Sequence, residues 1–130
     1  MRTLLLDTHV VHWLADQPDR LSRAARGAID RAEELAVAPP TWFELAWLRR
    51  SGRIEGTVPI RTWLDQLAQG LRTMPLGPGV ATRAAELPDS FPRDPADRVI
   101  FATATEYGLP LVTRDRHMRD HATGTPRVIW

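Results

Sequence analysis

Residues 3–9 are Thr3-Leu4-Leu5-Leu6-Asp7-Thr8-His9, and this segment decides the fold class. Its three consecutive leucines form a short apolar run that ends at an acid. Such a run is typical of a strand that is buried on both faces, as in a parallel sheet covered by helices. The segment therefore predicts a first strand that is buried on both faces, with an acid directly after it.

The rest of the chain alternates short apolar runs with segments of helical periodicity. Further strands are predicted over 35–38, 73–76, 109–112 and 127–130, with 73–76 at an edge because it contains a proline. Helices are predicted over 8–14, 22–34, 41–50, 59–69, 80–87 and 94–107. This alternation predicts one domain over residues 1–130, with a central parallel sheet of four to five strands and helices on both faces.

Composition excludes several classes of protein. The chain has no cysteine, which excludes disulfides, thiolate catalysis and cysteine-based metal sites. Its net charge is +1, so it is not a strongly basic nucleic-acid binder, although all 17 positive side chains are arginine. No apolar run approaches the ~20 residues of a membrane span, and the N-terminal run is too short for a signal peptide. We predict a cytoplasmic protein that has no membrane contact.

Four acids lie where predicted strands end or where the following helices begin: Asp7, Glu44, Asp97 and Asp115. Ligands of open parallel sheets bind outside the carboxyl ends of the strands, and right-handed crossovers return the chain to the same edge. Carboxylates gathered there repel each other unless a cation lies among them, and oxygen ligands suit Mg²⁺ or Mn²⁺. The pattern predicts a metal site that activates water for phosphodiester cleavage.

Each acid alone also fits a structural role. Thr41 and Glu44 have the spacing of a capping box. The segment Asp94-Pro95-Ala96-Asp97 fits an N-cap, a proline at the first helical position and a first-turn acid. Asp7 fits the cap of the helix that follows it, and Asp115 fits the end of a turn. The joint placement of the acids at strand ends favours the metal site.

Two histidine pairs raise the alternative of a zinc site. His117 and His121 have an i, i+4 spacing that can bind zinc on a helix, but Met118 replaces the glutamate of the His-Glu-x-x-His signature. His9 and His12, at i and i+3, raise the same question. A zinc hydrolase therefore ranks behind the other hypotheses.

Several motifs occur in the order that is typical of one family. They are Leu5-Leu6-Asp7-Thr8-His9, Trp42-Phe43-Glu44, Leu87-Pro88, Arg93-Asp94-Pro95-Ala96-Asp97-Arg98-Val99-Ile100 and Leu111-Val112-Thr113-Arg114-Asp115. From residue 3 to residue 130 the sequence resembles the PIN-domain family, specifically its VapC-like toxin branch. Two positions depart from that pattern, Ala96 in place of an aromatic residue and Pro39-Pro40 in place of a small polar one.

The resemblance implies a PIN fold with an acidic site that binds Mg²⁺ or Mn²⁺ and cleaves RNA. Asp7, Glu44 and Asp97 match the metal-binding acids of the family, and Asp115 matches a fourth acid that often acts through water. Thr113 matches a supporting hydroxyl, and Thr8 is expected to do the same. Asp94 is an accessory acid, which we expect to cap a helix rather than to coordinate.

The resemblance also implies partners, which are an RNA substrate, a cognate antitoxin that holds the protein inactive, and a second copy in a homodimer. Arginines flank the acids, and we predict that Arg93, Arg98 and Arg114 hold RNA phosphates, together with His9. Alternatively, these arginines are solvated or form ion pairs with nearby acids. The tryptophans Trp42, Trp47 and Trp63 are predicted to pack in the core, with a dimer or partner face as the alternative.

The leading hypothesis is thus a metal-dependent endoribonuclease toxin. The first alternative is an RNA-binding module of the same fold that does not cleave. The second is a metal-dependent phosphohydrolase that acts on DNA or on another phosphate ester.

Overall fold

The sheet is organised around the first strand. The computed structural model describes residues 2–130. Its strands are β1 Thr3–Leu6, β2 Glu34–Val37, β3 Arg72–Thr73, β4 Leu111–Val112 and β5 Val128–Ile129. All neighbours pair in parallel, in the order β3-β2-β1-β4-β5. The predicted α/β class and five-stranded parallel sheet are confirmed, and β1 lies at its centre.

Seven α-helices connect these strands within residues 2–130. They are α1 Thr8–Asp16, α2 Arg23–Arg31, α3 Pro39–Arg50, α4 Ile60–Ala68, α5 Pro78–Ala85, α6 Pro95–Tyr107 and α7 Arg116–His121. A short 3₁₀ turn, Pro18–Arg20, joins α1 to α2. Within the same residues, no helix is long and apolar enough to cross a membrane.

The three leucines of β1 are buried on alternate faces of the sheet. Leu4 and Leu6 belong to a core that includes Leu45 of α3, whereas Leu5 belongs to a second core that includes Ile100 of α6. Full burial of a leucine side chain stabilises a fold by about 1.5–3 kcal/mol. The apolar run therefore holds helices on both faces, as the sequence predicted.

Local signals at the helix ends agree with the sequence in several places. The hydroxyl of Ser22 accepts a hydrogen bond from the amide of Ala25 at 3.1 Å, so Ser22 is the predicted N-cap of α2. Gly108 ends α6 in the left-handed conformation, with a φ of 65° that glycine adopts without strain. The boundaries of α6 are therefore those that the sequence predicts.

Other boundaries differ from the prediction, each for a physical reason. Helix α2 ends at Arg31 rather than near Glu34, because the amides of Glu33 and Glu34 bond to the carbonyl of Arg2 and start β2. Helix α3 begins at Pro39 rather than at Thr41. Prolines fit there because the first-turn amides of a helix have no acceptor within it.

The remaining elements are shifted or shorter than predicted. Helix α5 begins at Pro78, two residues earlier than predicted, and strands β3, β4 and β5 have two residues each. Strand β3 lies at a sheet edge as expected. The sequence did not predict α7. Strand β5 holds the outer side of β4, since the amides of Leu111 and Thr113 bond to carbonyls of Arg127 and Ile129.

Candidate active site

The predicted acids meet in one pocket at the carboxyl ends of the strands. The pocket has a volume of about 690 Å³, and its acidic lining residues are Asp7, Glu44, Asp94, Asp97 and Asp115. The structure thus brings together all four acids predicted as catalytic and the accessory one. They come from four places in the chain: Asp7 follows β1, Glu44 lies in α3, Asp94 and Asp97 lie at the start of α6, and Asp115 follows β4.

Asp7 is buried at the base of the pocket, and its carboxylate is held at both oxygens. Oδ1 accepts a hydrogen bond from the amide of Thr8 at 2.8 Å, which makes Asp7 the N-cap of α1. Oδ2 accepts one from the hydroxyl of Thr113 at 2.6 Å. Burial raises the pKa of Asp7, while His9 and these two hydrogen bonds oppose the shift. Asp7 therefore caps a helix and lines the pocket at once.

The buried hydroxyl of Thr113 links two acids. It donates to Asp7 and accepts a hydrogen bond from the amide of Asp115 at 2.9 Å. The Oδ1 atom of Asp115 in turn accepts from the amide of Met118 at 3.1 Å, so Asp115 is the N-cap of α7. One threonine therefore fixes the first acid relative to the last.

The side chain of Glu44 contacts Thr8, the first residue of α1. Its Oε1 atom accepts a hydrogen bond from the hydroxyl of Thr8, which also lies 3.1 Å from the hydroxyl of Thr41. Because Thr41 lies inside the first turn of α3 and is not its N-cap, the capping-box interpretation of Glu44 is wrong. Burial raises the pKa of Glu44, and the charges of Asp7 and Asp94 raise it further, against the hydrogen bond from Thr8.

Three of the acids are close enough to share one ion. One carboxylate oxygen each from Glu44, Asp94 and Asp97 lies within 4.8 Å of the others. Asp94 also caps α6, since its Oδ1 atom accepts from the amide of Ala96 at 3.1 Å. Burial, with Asp7, Asp94, Asp115 and Glu44 around it, raises the pKa of Asp97 to about 8. A divalent cation would relieve this repulsion, and hard oxygen ligands are what Mg²⁺ and Mn²⁺ prefer.

His9 contacts the acids rather than open solvent. Its Nε2 atom accepts a hydrogen bond from the amide of Arg114 at 3.0 Å, which places the ring proton on Nδ1. Nδ1 lies 3.6 Å from Oδ2 of Asp7, and the ring packs against Trp13 at 4.8 Å. Burial lowers the pKa of His9, against the attraction of Asp7. The ring is therefore oriented with Nδ1 toward Asp7.

Arg98 has a different role from the predicted one. Its guanidinium donates to five backbone carbonyls, one for each of its N–H groups: Ala84, Leu87, Pro88, Phe91 and Pro92. The prediction that Arg98 holds an RNA phosphate is therefore wrong. Arg93 and Arg114 are exposed beside the acids, and their contact with RNA stays a prediction.

We expect Arg98→Met to destabilise the protein by about 2–4 kcal/mol. Methionine keeps much of the apolar stem, but the carbonyls between α5 and α6 lose their charged donor, and such hydrogen bonds contribute about 1.5–3 kcal/mol. The measurement is the urea midpoint of unfolding, with Arg93→Met as the matched control on an exposed arginine. Equal midpoints for the two variants would contradict the proposed role of Arg98.

Within residues 2–130, the other histidines belong to no group of side chains placed to share a metal ion. His121 is occupied at both nitrogens, with Nδ1 2.8 Å from the carbonyl of His117 and Nε2 3.1 Å from the hydroxyl of Ser90. His12 pairs with Asp16 at 3.4 Å. Among residues 2–130, the group of acids around Asp97 is the one set of side chains placed to share an ion.

The tryptophans divide between the core and the pocket. Trp42 and Trp63 pack against the core of α1 and α2, as predicted, and Trp42 also bonds to the hydroxyl of Thr73. Trp47 is exposed and lines the pocket, so its predicted core packing is wrong. Phe43, which the sequence analysis did not single out, lies beside it; the Trp42-Phe43-Glu44 motif alone could have drawn attention to it.

Comparison with known proteins agrees with this architecture. The sequence model of the PIN domain matches residues 4–124. Ribonuclease VapC22 of Mycobacterium tuberculosis is 52% identical over 130 residues, which are all of both chains. Two solved structures share the fold: a toxin–antitoxin complex from Klebsiella pneumoniae (TM-score 0.69, 20% identity, 98% of this chain and 96% of that one) and VapBC-5 from Mycobacterium tuberculosis (TM-score 0.61, 23% identity, the same coverage). This chain therefore belongs to the PIN-domain family, in its VapC branch.

Proposed function

We propose that the protein is the endoribonuclease toxin of a toxin–antitoxin pair and that it hydrolyses RNA phosphodiester bonds in the acidic pocket with the help of Mg²⁺ or Mn²⁺. The observation that carries the proposal is the pocket, in which Glu44, Asp94 and Asp97 approach each other within 4.8 Å beside Asp7 and Asp115. RNA as the substrate is supported by the 52% identity to a protein named a ribonuclease.

The donor set fits a hard divalent cation. Glu44, Asp94 and Asp97 would hold the ion directly, and Asp7 and Asp115 would complete the site, directly or through water. When bound, such a cation activates water and neutralises the charge that develops on the phosphate. We expected Asp94 only to cap a helix, but we propose two roles for it. Its Oδ1 atom caps α6, and its carboxylate also belongs to the group of acids that would hold the ion.

The other residues of the site would orient these acids. Thr113 fixes the rotamer of Asp7, and the hydroxyl of Thr8 donates to Glu44. His9 presents its Nδ1 proton to Asp7 and thereby favours the ionised carboxylate. Arg93 and Arg114, which are exposed next to Asp94 and Asp115, would hold the RNA backbone by phosphate contacts.

The direct test is cleavage of total RNA and of single-stranded DNA by the purified protein with Mg²⁺, Mn²⁺ or EDTA. We expect RNA to be cut only with the metal ions and DNA to remain intact. RNA that is bound but not cut would favour a non-cleaving RNA-binding module. Cutting of DNA would favour a broader phosphohydrolase, and cutting that is indifferent to EDTA would overturn the metal site.

Thr113→Val is expected to lower the rate of RNA cleavage by about 10–100-fold, the cost typical of losing a group that orients a metal ligand. Valine has the same shape but cannot donate to Oδ2 of Asp7 or accept from the amide of Asp115. The measurement is kcat on a labelled RNA, with Thr105→Val as a control, because the hydroxyl of Thr105 bonds only a helix carbonyl away from the pocket. Equal rates for the two variants would contradict the role of Thr113.

The partners follow from the same proposal. The solved structures named as toxin–antitoxin systems support an antitoxin that binds this chain. We also propose a homodimer and a location in the cytoplasm, where RNA is accessible. Sedimentation of the free protein, and of the protein with its co-expressed antitoxin, tests the two assemblies.

A further inference from the structure

Two aromatic side chains of α3 line the acidic pocket and remain open to solvent. Phe43 is 71% exposed and Trp47 is 60% exposed. Their ring centroids lie 6.5 Å apart, and their planes differ by 24°, so the rings are nearly parallel. Large exposed apolar groups that share a pocket mark a binding site, because water is a poor environment for them. We call these two residues the aromatic pair.

The aromatic pair is continuous with the acids. Phe43 directly precedes Glu44, and Trp47 follows it by three residues, a helical spacing that places two side chains about 5–6 Å apart at Cβ. All three side chains line the same pocket. If a cation at the carboxylates binds a phosphate of RNA, the nucleoside next to that phosphate would therefore lie close to the two rings.

The charge around the pocket favours nucleic acid over an apolar protein segment as the occupant. Arg93 precedes Asp94, and Arg114 and Arg116 flank Asp115; all three arginines are exposed. Exposed arginines that are sequence neighbours of the pocket acids complement a chain of phosphates. Bases of single-stranded RNA stack on aromatic side chains in this kind of setting.

We propose that Phe43 and Trp47 stack on a nucleobase of single-stranded RNA next to the scissile phosphate. The inference rests on the proposed function, because it states how the same pocket holds its substrate. It assigns the aromatic pair to substrate binding, whereas the acids act on the phosphate. The contact is tolerant of sequence, since every base has a stacking face.

The test compares Trp47→Leu, which keeps an apolar side chain without a ring, with Trp47→Phe, which keeps the ring. Leu76→Ala is the control at an exposed apolar residue outside the pocket. Binding is measured by fluorescence anisotropy with Ca²⁺ in place of Mg²⁺, and gels check that the probe stays intact. The probes are a short single-stranded RNA of mixed sequence and its abasic counterpart, which has the same sugar–phosphate backbone.

We expect Trp47→Leu to bind the base-bearing RNA about tenfold more weakly than the original protein. Trp47→Phe and Leu76→Ala should retain its affinity, and all proteins should bind the abasic probe equally. An equal loss on both probes would overturn the stacking contact. Unchanged affinity for RNA, with loss of self-association in sedimentation, would also overturn it and make the aromatic pair a contact between two protein chains.

Binding and cleavage are measured separately, so the two proposals fail in different ways. If the protein cuts RNA and Trp47→Leu binds and cuts normally, the aromatic pair is not a base site and the nuclease proposal stands. If the affinity depends on the ring and the base but RNA is never cut with Mg²⁺ or Mn²⁺, the stacking contact stands and the nuclease proposal falls.

Discussion

Asp97→Asn is expected to abolish RNA cleavage and, at the same time, to stabilise the metal-free protein at neutral pH. Cleavage is lost because asparagine removes the charge at the centre of the group that Glu44 and Asp94 complete. Stability rises because burial and four neighbouring acids raise the pKa of Asp97 to about 8, against 3.8 for the free side chain. The ionised carboxylate therefore costs folding free energy, which a neutral amide does not.

The sign of the pH dependence follows from proton counts. Between about pH 4 and 8 the folded protein binds a proton at Asp97 that the unfolded chain has released, so the stability contributed by this group falls as the pH rises through that window. The increase in the free energy of unfolding caused by Asp97→Asn should be absent near pH 4 and largest above pH 8. Melting temperatures in EDTA at several pH values measure it, with Asp120→Asn as the exposed control. A gain that does not depend on pH would contradict the explanation.

Asp7→Asn is expected to lower the rate of RNA cleavage by about 10³-fold. A bound cation contributes several kcal/mol of transition-state stabilisation, and about 1.4 kcal/mol corresponds to a factor of ten in rate. Asparagine can still accept the hydrogen bond from the amide of Thr8, so the cap of α1 is retained. The substitution thus removes a charge from the base of the pocket and leaves the start of the helix in place.

The measurement is single-turnover cleavage of a labelled RNA with Mg²⁺ or Mn²⁺, after circular dichroism has shown an equal helix content. Asp120→Asn again serves as the control, because its carboxylate is exposed and lies outside the pocket. A rate within a few-fold of the original protein would exclude Asp7 from the chemistry. The metal site would then consist of Glu44, Asp94 and Asp97, with Asp115 as the remaining acid beside them.

The features that local sequence determines were predicted well. The three leucines of β1 are buried on alternate faces, and α6 runs from the proline after Asp94 to the residue before Gly108. These features depend on apolar periodicity, caps and a glycine that accepts a positive φ. The convergence of the acids was also predictable, because the carboxyl ends of parallel strands meet at one edge.

The features that depend on tertiary contacts were not predictable. The five carbonyls that Arg98 binds lie between residues 84 and 92, and only the packing of that segment against α6 brings them to one guanidinium. The exposure of Trp47 depends on how α3 packs against the rest of the fold, which the apolar periodicity of a single helix does not encode. Helix α7 has six residues and one buried side chain, Met118, so its apolar pattern is too short to recognise.

The bond between Thr113 and Asp7 joins residues that are 106 positions apart, and this distance orders events during synthesis. Asp7 is translated before Thr113, Asp115 and strand β5, which pairs with β4. Contacts of such long range form only after the intervening chain is available. A chain that is still being translated, or one that stops before β4, therefore contains Asp7 without the hydroxyl of Thr113 that fixes it relative to Asp115.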